Sequence, residues 1–184
     1  LHTGRHQEAE KLCNEYDTVL IKKSASLYKE NELDLYLCLV VINLHCQRLK
    51  TAQSYIKKIY KESKAFQLYP AFQTARLLKL IIDAELGNQE LMDSDIRSIK
   101  RSLKNESQAY KTEKVLFKFL SMYPIPMYEK TRNRLWKRLE KDIINIREDK
   151  YERQLLNTFD FTRWIESKLT GLPFTEVNLS ENEN

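Results

Sequence analysis

Glycine and proline are scarce in this chain, whose 184 residues contain only 3 Gly and 4 Pro. Because β folds with many corners need these residues in their turns, the scarcity argues against a sandwich, a barrel or another turn-rich β fold. A Gly-rich phosphate-binding loop is excluded as well, since Gly4, Gly87 and Gly171 are far apart in the sequence. Lys, Glu, Leu, Gln, Arg and Ala dominate instead, and these residues favour helices. The composition therefore predicts an all-α fold.

Long apolar runs are also missing, and the most apolar stretch covers only residues 35–44. A helix that crosses a bilayer needs about 18 or more apolar residues in succession. We therefore expect no membrane span. With no visible signal peptide, we also expect a cytoplasmic location. The chain does not begin with Met, and we expect it to be the C-terminal part of a larger protein.

The three cysteines, Cys13, Cys38 and Cys46, are an odd number on apolar helical faces, which predicts buried, reduced thiols. His2 and His6 have the spacing of two metal ligands on one helix face, but they flank Gly4 and have no acidic third ligand nearby. Core packing explains Cys38 and Cys46 better than metal binding does. The sequence therefore predicts no metal site and no bound cofactor.

Catalytic groups are not evident either. A cysteine nucleophile needs a paired histidine, and His45 points about 100° away from its neighbour Cys46 on a helix. Asp93 and Asp95 are interpreted as charges near a helix N-terminus. We expect a non-enzymatic protein. An enzyme remains an alternative, which would require a deep pocket with converging titratable groups.

Apolar residues recur three and four positions apart along most of the chain, which predicts helices. Eight helices are predicted, over residues 4–23, 33–46, 49–64, 70–86, 90–103, 108–122, 127–147 and 151–169. The polar stretches at residues 29–32 and 104–107 are expected breaks, and Gly87 and Gly171 are expected helix ends.

A pattern of helix pairs repeats along the chain. Gly4, Gln47 and Gly87 serve as equivalent anchors, 43 and 40 residues apart. The matching positions five, nine and twelve residues past each anchor are Ala9, Cys13 and Tyr16, then Ala52, Ile56 and Ile59, then Met92, Ile96 and Ile99. A helix pair of this length cannot bury its apolar face alone, so stacked neighbours must supply the missing surface.

The segment from Gly4 to Ala9, Gly-Arg-His-Gln-Glu-Ala, resembles the turn and second-helix start of a tetratricopeptide repeat. His6 follows the Gly as an aromatic residue does in that family, and Ala9 is the small residue at which the two helices approach. The second copy lacks the Gly, the third has Met92 in place of the small residue, and the period exceeds the usual 34. The resemblance covers residues 1–105 and weakens over 108–147.

This resemblance implies a right-handed α-solenoid of antiparallel helix pairs in one domain over residues 1–175. The repeat units are about 1–28, 33–65, 70–105 and 108–147, followed by a capping helix at 151–170 and a disordered tail at 176–184. The aromatic residues Phe159, Phe161 and Trp164 are expected to close the last interface. Glu152, Arg153, Arg163 and Lys168 are expected on the outer face of the cap. Residues 159–168 also look similar to the C-terminal ends of bacterial repeat proteins.

In the tetratricopeptide family the first helix of each pair usually lines the concave surface, where a peptide or protein segment binds. The resemblance therefore implies a protein-interaction scaffold whose partner contacts are exposed polar residues of the first helices. The candidate contacts are Asn43, Gln47, Gln73, Arg76, Lys79, Lys111, Lys114 and Lys118.

A basic region spans residues 97–138, with 12 Lys or Arg against 3 Asp or Glu in a chain of net charge +5. Its main members are Arg97, Lys100, Arg101, Lys104, Arg132, Arg134, Lys137 and Arg138. Solvated helix faces with counter-charges nearby are one interpretation. The alternative is a helical-repeat module that binds a nucleic acid, with an affinity that falls steeply with salt.

The first predicted helix has an apolar face, formed by Ala9, Leu12, Cys13 and Tyr16, that is expected to pack on the helix at residues 33–46. Its other flank is expected to be exposed or covered by a second molecule. Self-association through this N-terminal edge of the repeat is therefore an expectation. If the C-terminal helix of the chain covered that flank, the fold would be a closed bundle.

Overall fold

The computed structural model describes Glu8, Lys11 and residues 28–67, 69–103, 110–172 and 174. These residues form helices joined by turns, and no strand occurs among them. The prediction of an all-α fold is confirmed for this part of the chain. The helices are α1 (Lys29–His45), α2 (Leu49–Lys61), α3 (Ser63–Phe66), α4 (Ala71–Glu85), α5 (Gln89–Leu103), α6 (Lys111–Leu120), α7 (Glu129–Glu148), α8 (Arg153–Leu156) and α9 (Phe161–Thr170).

The chain divides into two compact units, Leu1–Leu86 and Gly87–Asn184. The prediction of one domain over residues 1–175 stays a prediction. The helix expected at residues 4–23, the tail at 176–184 and the face of Ala9, Leu12, Cys13 and Tyr16 lie outside the described residues, and so do His2 and His6.

In the first unit, α1 is the inner helix, in contact with α2, α3 and α4. It is apolar on most sides, as its sequence predicts, and Leu33, Leu37, Val40 and Val41 are at most 1% exposed. Helix α2 also packs on α4, so that three helices share one core. The start of α1 differs from the prediction, because the polar residues 29–32 form its first turn instead of a break.

The first turn of α1 is stabilised by contacts that the sequence pattern does not reveal. Glu32 is buried and receives hydrogen bonds from Lys29 Nζ at 2.8 Å and from the Tyr36 hydroxyl at 3.3 Å. Lys29 Nζ also lies 3.3 Å from Glu62 at the end of α2. These carboxylates raise the pKa of Lys29, mainly through its hydrogen bond to Glu32.

The turns at Gln47 and Gly87 have the same layout. In each case the helix ends two residues before the anchor, and the next helix begins two residues after it. Gln47 has φ +57° and Gly87 has φ +74°, so both lie in the left-handed region that closes many helices. In the first turn, the amide of Arg48 donates to the carbonyl of Asn43 at 2.8 Å.

The positions matched to these two anchors are buried. Ala52, Ile56 and Ile59 in α2 are at most 2% exposed, and their counterparts Met92, Ile96 and Ile99 in α5 are at most 6% exposed. The predicted packing positions of these two copies are thus confirmed as buried.

In the second unit, α6, α7 and α9 pack against one another. Trp164 of α9 is at the centre, with its ring edge-on to Phe119 at 5.4 Å and stacked on Tyr123 at 6.5 Å between centroids. Phe159 and Phe161 are also buried.

The C-terminal segment departs from the prediction in two ways. The helix expected at residues 151–169 is two helices, α8 and α9, because Asp160 caps α9 by accepting hydrogen bonds from the amides of Thr162 and Arg163, both at 3.0 Å. Glu152, expected on the outer face, is buried, so this expectation was wrong. Gly171 ends α9 with φ +79°, as predicted.

Candidate interaction surfaces

The candidate contacts in the first unit differ in their exposure. Asn43 is buried, and its side-chain amide donates to the carbonyl of Leu39 at 2.8 Å within α1. The expectation that Asn43 is exposed was therefore wrong, because its side chain forms a hydrogen bond within α1 instead of facing solvent. Gln47 is exposed, but its position is set by the left-handed turn after α1.

Gln73, Arg76 and Lys79 follow one another at three-residue intervals on α4 and are partly exposed. The Lys79 ammonium lies 2.7 Å from a carboxylate oxygen of Asp83, which is only 2% exposed, and 6.0 Å from the ring centroid of Tyr60. A buried carboxylate is costly without a partner, so Lys79 has a structural role as the counter-ion of Asp83.

The remaining candidate contacts lie on α6, where they meet a polar face of α7. Lys111 and Lys114 line a groove with a volume of about 490 Å³, and Lys118 continues the same face of α6 one turn further. The facing residues of the groove are Asp142, Asn145, Glu148 and Asp149. The structure therefore brings these three lysines of the prediction to one surface.

The floor of the groove is apolar, and its walls carry opposite charges. Val115 and Ile146 form the floor and are at most 6% exposed. The Lys111 ammonium contacts Asp149 at 2.5 Å, and the Lys118 ammonium lies 3.5 Å from Asp142. Lys114 lies between these two pairs, and no described residue forms a salt bridge with it.

The Lys111–Asp149 pair shifts the pKa of both partners. The hydrogen bond from Lys111 is the main cause that lowers the pKa of Asp149, and the amide of Tyr151 adds to it at 2.9 Å. The same contact raises the pKa of Lys111. Both groups therefore stay charged at neutral pH, so this end of the groove carries a fixed ion pair.

One end of the groove is held by a carboxylate from 40 residues away in the sequence. Glu152 accepts hydrogen bonds from the amides of Lys111 and Thr112 at 2.7 and 3.1 Å, and from the Thr112 hydroxyl at 2.8 Å. These amides are among the unpaired donors of the first turn of α6, so Glu152 caps this helix. Glu113 adds a second cap by accepting from the amide of Tyr110 at 3.1 Å.

Sequence reasoning missed the residues in the C-terminal half of α7, and just after its end, that face the lysines. Asp142, Asn145 and Asp149 follow one another at helical spacing, as do Lys111, Lys114 and Lys118 on α6. Two polar faces of opposite charge on consecutive helices were a signal that could have revealed the groove.

The basic region is distributed over different environments. On α5, Arg97, Lys100 and Arg101 are exposed, with the Lys100 ammonium 5.7 Å from the ring centroid of Phe117. On α7, Arg134, Lys137 and Arg138 are exposed. Lys104 lies outside the described residues.

Arg132 does not share the exposed face of its neighbours. It is partly buried, and a Cβ added at Gly171 would lie 3.9 Å from its Nη2 atom. This places the guanidinium beside the C-terminal end of α9, where a cation interacts favourably with the helix dipole. Its Nε atom is buried and has no hydrogen-bond partner within the described part of the chain. The assignment of Arg132 to an exposed basic surface was wrong.

The cysteines do not match the predicted core packing. Cys38 is exposed on α1 and Cys46 is partly exposed, so the expectation of buried thiols was wrong for Cys38. Partial desolvation of the Cys38 thiol raises its pKa, and the charge of Asp34 adds to this effect. The thiolate, which is the nucleophile, is therefore disfavoured. Asp93 and Asp95 lie beyond the first turn of α5, whose acidic residue is Glu90.

No group of three or more His, Cys, Asp or Glu side chains has the arrangement of a metal site in the ranges that the structure describes. In the same ranges, no helix has the length and apolarity to cross a bilayer. Comparison of the chain with protein-family models, curated proteins and solved structures found no match.

Proposed function

We propose that the chain is a non-enzymatic scaffold that binds a peptide or protein segment, and that the segment lies in the groove between α6 and α7. The observation that carries the proposal is the convergence of Lys111 and Lys114 with Asp142 and Asn145 above an apolar floor. Such a floor buries apolar side chains of a ligand, and a few polar groups around it fix the orientation.

The charges of the groove favour a peptide over a purely anionic ligand. Carboxylates of α7 oppose the lysines of α6, so an anion that approached Lys111 would meet Asp149 as well. A peptide presents amides, apolar side chains and charges of both signs, and Asn145 can donate to and accept from a main chain. Lys114, between the two ion pairs, is the cation that a carboxylate of the peptide would contact.

The wider architecture of the proposal is a right-handed solenoid of helix pairs that resembles tetratricopeptide repeats, in a cytoplasmic protein. The matching turns at Gln47 and Gly87 and the buried positions that follow them support it. In such repeats each pair supplies one interface to the next, and the helix faces form extended binding surfaces.

A photo-crosslinking amino acid at position 114 tests the proposal, with the same amino acid at the exposed position 57 on α2 as the control. We expect a crosslink to one protein segment from position 114 and none from position 57. The segment is then synthesised, and its affinity is measured by calorimetry for the unmodified chain, for Lys114→Glu and for Lys57→Glu.

Lys114→Glu should weaken binding by about tenfold, or about 1.4 kcal/mol. The substitution replaces the cation that contacts a carboxylate of the peptide with a second carboxylate, which repels it. Lys57→Glu should bind as the unmodified chain does. Equal affinities of all three proteins, or equal crosslinks from both positions, would exclude the groove as the binding site.

A further inference from the structure

Helix α7 carries a second surface, on the side opposite its buried face. Leu135, Leu139, Ile143 and Ile146 form the buried face. At 100° per residue, Lys130, Arg134, Lys137 and Lys141 lie directly opposite, all exposed. We call these four residues the basic row.

The basic row is straight and of one sign. Its first and last members are eleven residues apart, which corresponds to about 16 Å along a helix. No member forms a salt bridge with another described residue. Among the nearby carboxylates, Glu129 lies beside Lys130 at the first end of the row, Glu140 lies to the side of the row, and Asp142 is engaged by Lys118. Arg138 adds a further exposed cation at the flank.

Between its cations the row has no exposed apolar anchor for a protein partner among the described residues, since Leu135 and Leu139 are buried. The shallow depression along it is lined by Glu129, Lys130, Asn133, Arg134 and Lys137, all of them polar. Protein interfaces depend on aromatic or aliphatic anchors in desolvated pockets. The exposed apolar side chains near the row lie beyond its two ends, with Met127 and Tyr128 before Lys130 and Ile144 after Lys141. Binding to a phosphate backbone needs only cations at suitable spacing and the release of counter-ions.

We propose that the basic row binds the sugar–phosphate backbone of a double-stranded nucleic acid, with Asn133 as an additional donor to phosphate oxygens. The site is separate from the α6–α7 groove, because the row and the groove use different residues of α7. The contacts are to phosphates, so binding does not depend on base sequence.

The test is a titration of a fluorescein-labelled DNA duplex of about 20 base pairs, followed by anisotropy at several salt concentrations. With about four phosphates neutralised, the logarithm of the association constant should fall with the logarithm of salt concentration with a slope of about −3.6. This slope corresponds to a loss of about 150-fold in affinity between about 50 and 200 mM salt.

The matched variants are the pair Arg134→Gln and Lys137→Gln, in the row, and the pair Lys50→Gln and Lys57→Gln, on the exposed side of α2. Both pairs remove the same net charge. The first should reduce the slope to about −1.8, and the loss of affinity over the same range to about 12-fold, whereas the second should leave both unchanged. Circular dichroism checks that both proteins keep their helical content.

Three results would exclude the row as a nucleic-acid site. The first is that the unmodified chain fails to bind the duplex at the lowest salt concentration. The second is that both double variants reduce the slope equally. The third is that a poly-glutamate peptide of equal charge binds more tightly than the duplex. The last result would assign the row to an acidic protein. A single-stranded oligonucleotide of the same charge should bind more weakly than the duplex, and tighter binding would contradict the assignment to a double strand.

Discussion

At the scale of single residues, Gln47 has a conformation that normally belongs to glycine. Its φ of +57° matches the +74° of Gly87 at the equivalent turn. The left-handed region costs a non-glycine residue about 1–2 kcal/mol. Since the turns are otherwise alike in layout, the absence of a Gly from the second copy of the sequence pattern did not change the local structure.

Gln47→Gly should therefore stabilise the chain by about 0.5–1 kcal/mol, because relief of the left-handed strain exceeds the greater flexibility of Gly in the unfolded state. Gly87→Ala should destabilise the chain by about 1 kcal/mol, because Ala is strained at a positive φ. A steric clash does not contribute, since nothing lies within 4 Å of an added Cβ. Urea denaturation followed by circular dichroism measures both changes. A destabilising Gln47→Gly would contradict the left-handed turn.

Asp149 provides a second residue-scale prediction. Its pKa should lie below 3.8, its ordinary value, because Lys111 donates to its charged form. Lys111→Met should raise this pKa towards 3.8 without reaching it, since the amide of Tyr151 still donates. Lys118→Met, which removes a lysine paired with Asp142 instead, is the control and should leave the pKa of Asp149 unchanged.

The lowered pKa determines the direction of the pH effect on stability. A depressed acidic pKa in the folded state contributes stability that is present above the unfolded pKa and is lost as the pH falls through the folded pKa. The contribution of the pair should therefore begin to decline near about pH 4 and be lost as the pH falls through the lowered pKa of Asp149. NMR titration of the Asp149 carboxyl follows the change, and a pKa above 3.8 would contradict the ion pair.

At the scale of the element, the helices could be predicted from the sequence, but their contacts could not. Apolar spacing located α1, α2, α4, α5, α6 and α7, because a helix buries one face whatever its neighbour is. Glu32 and Glu152 were misjudged, since charged residues are expected outside unless a partner is known. The partners of Glu152 are 40 residues or more away in the sequence, and local patterns carry no information on them.

Arg132 was misjudged for a different reason. Its place three residues before Leu135 and seven before Leu139 assigns it to the buried face of α7, and both leucines are in the core. The number of basic residues nearby hid this periodicity. The number of charges along the chain identifies the basic region of residues 97–138. The helical spacing of the charges on α7 identifies the basic row.

The stability of the α6 N-terminus should depend strongly on Glu152, which accepts hydrogen bonds from its first residues. Glu152→Ala removes three hydrogen bonds to a buried carboxylate and leaves their donors unpaired, so it should lower the free energy of unfolding by about 3 kcal/mol. Glu148→Ala is the control, because Glu148 is exposed, and should change it by less than about 0.5 kcal/mol. Urea denaturation of both variants measures the difference, and similar effects would show that Glu152 is not a cap.

At the scale of the whole molecule, the excess of positive charge is unevenly distributed. The net charge is +5, yet lysines and carboxylates pair in the α6–α7 groove. On the face of α7 opposite its buried side, the basic row has no such compensation from described residues. One helix thus presents a nearly balanced surface and a strongly positive one.

Salt should separate the two proposed sites. Because Lys111 and Lys118 of the groove are already paired and the peptide is expected to contact the single cation Lys114, the affinity for a peptide should change by only about two- to threefold between about 50 and 200 mM salt. Duplex binding by the basic row should weaken by about 150-fold over the same range. Parallel titrations of the same protein measure both, and equal salt dependence would mean that the two ligands share one site.

The packing of Trp164 against Phe119 and Tyr123 has a spectroscopic consequence. The two tryptophans of the chain, Trp136 and Trp164, both belong to the unit that begins at Gly87, and the other unit contains none. Indole emission is therefore a label-free signal from one half of the molecule. A thermal melt followed by indole emission reports the unfolding of the second unit. A melt followed by far-ultraviolet ellipticity reports the loss of helix in both units, so comparison of the two distinguishes the unfolding of one unit from that of the other.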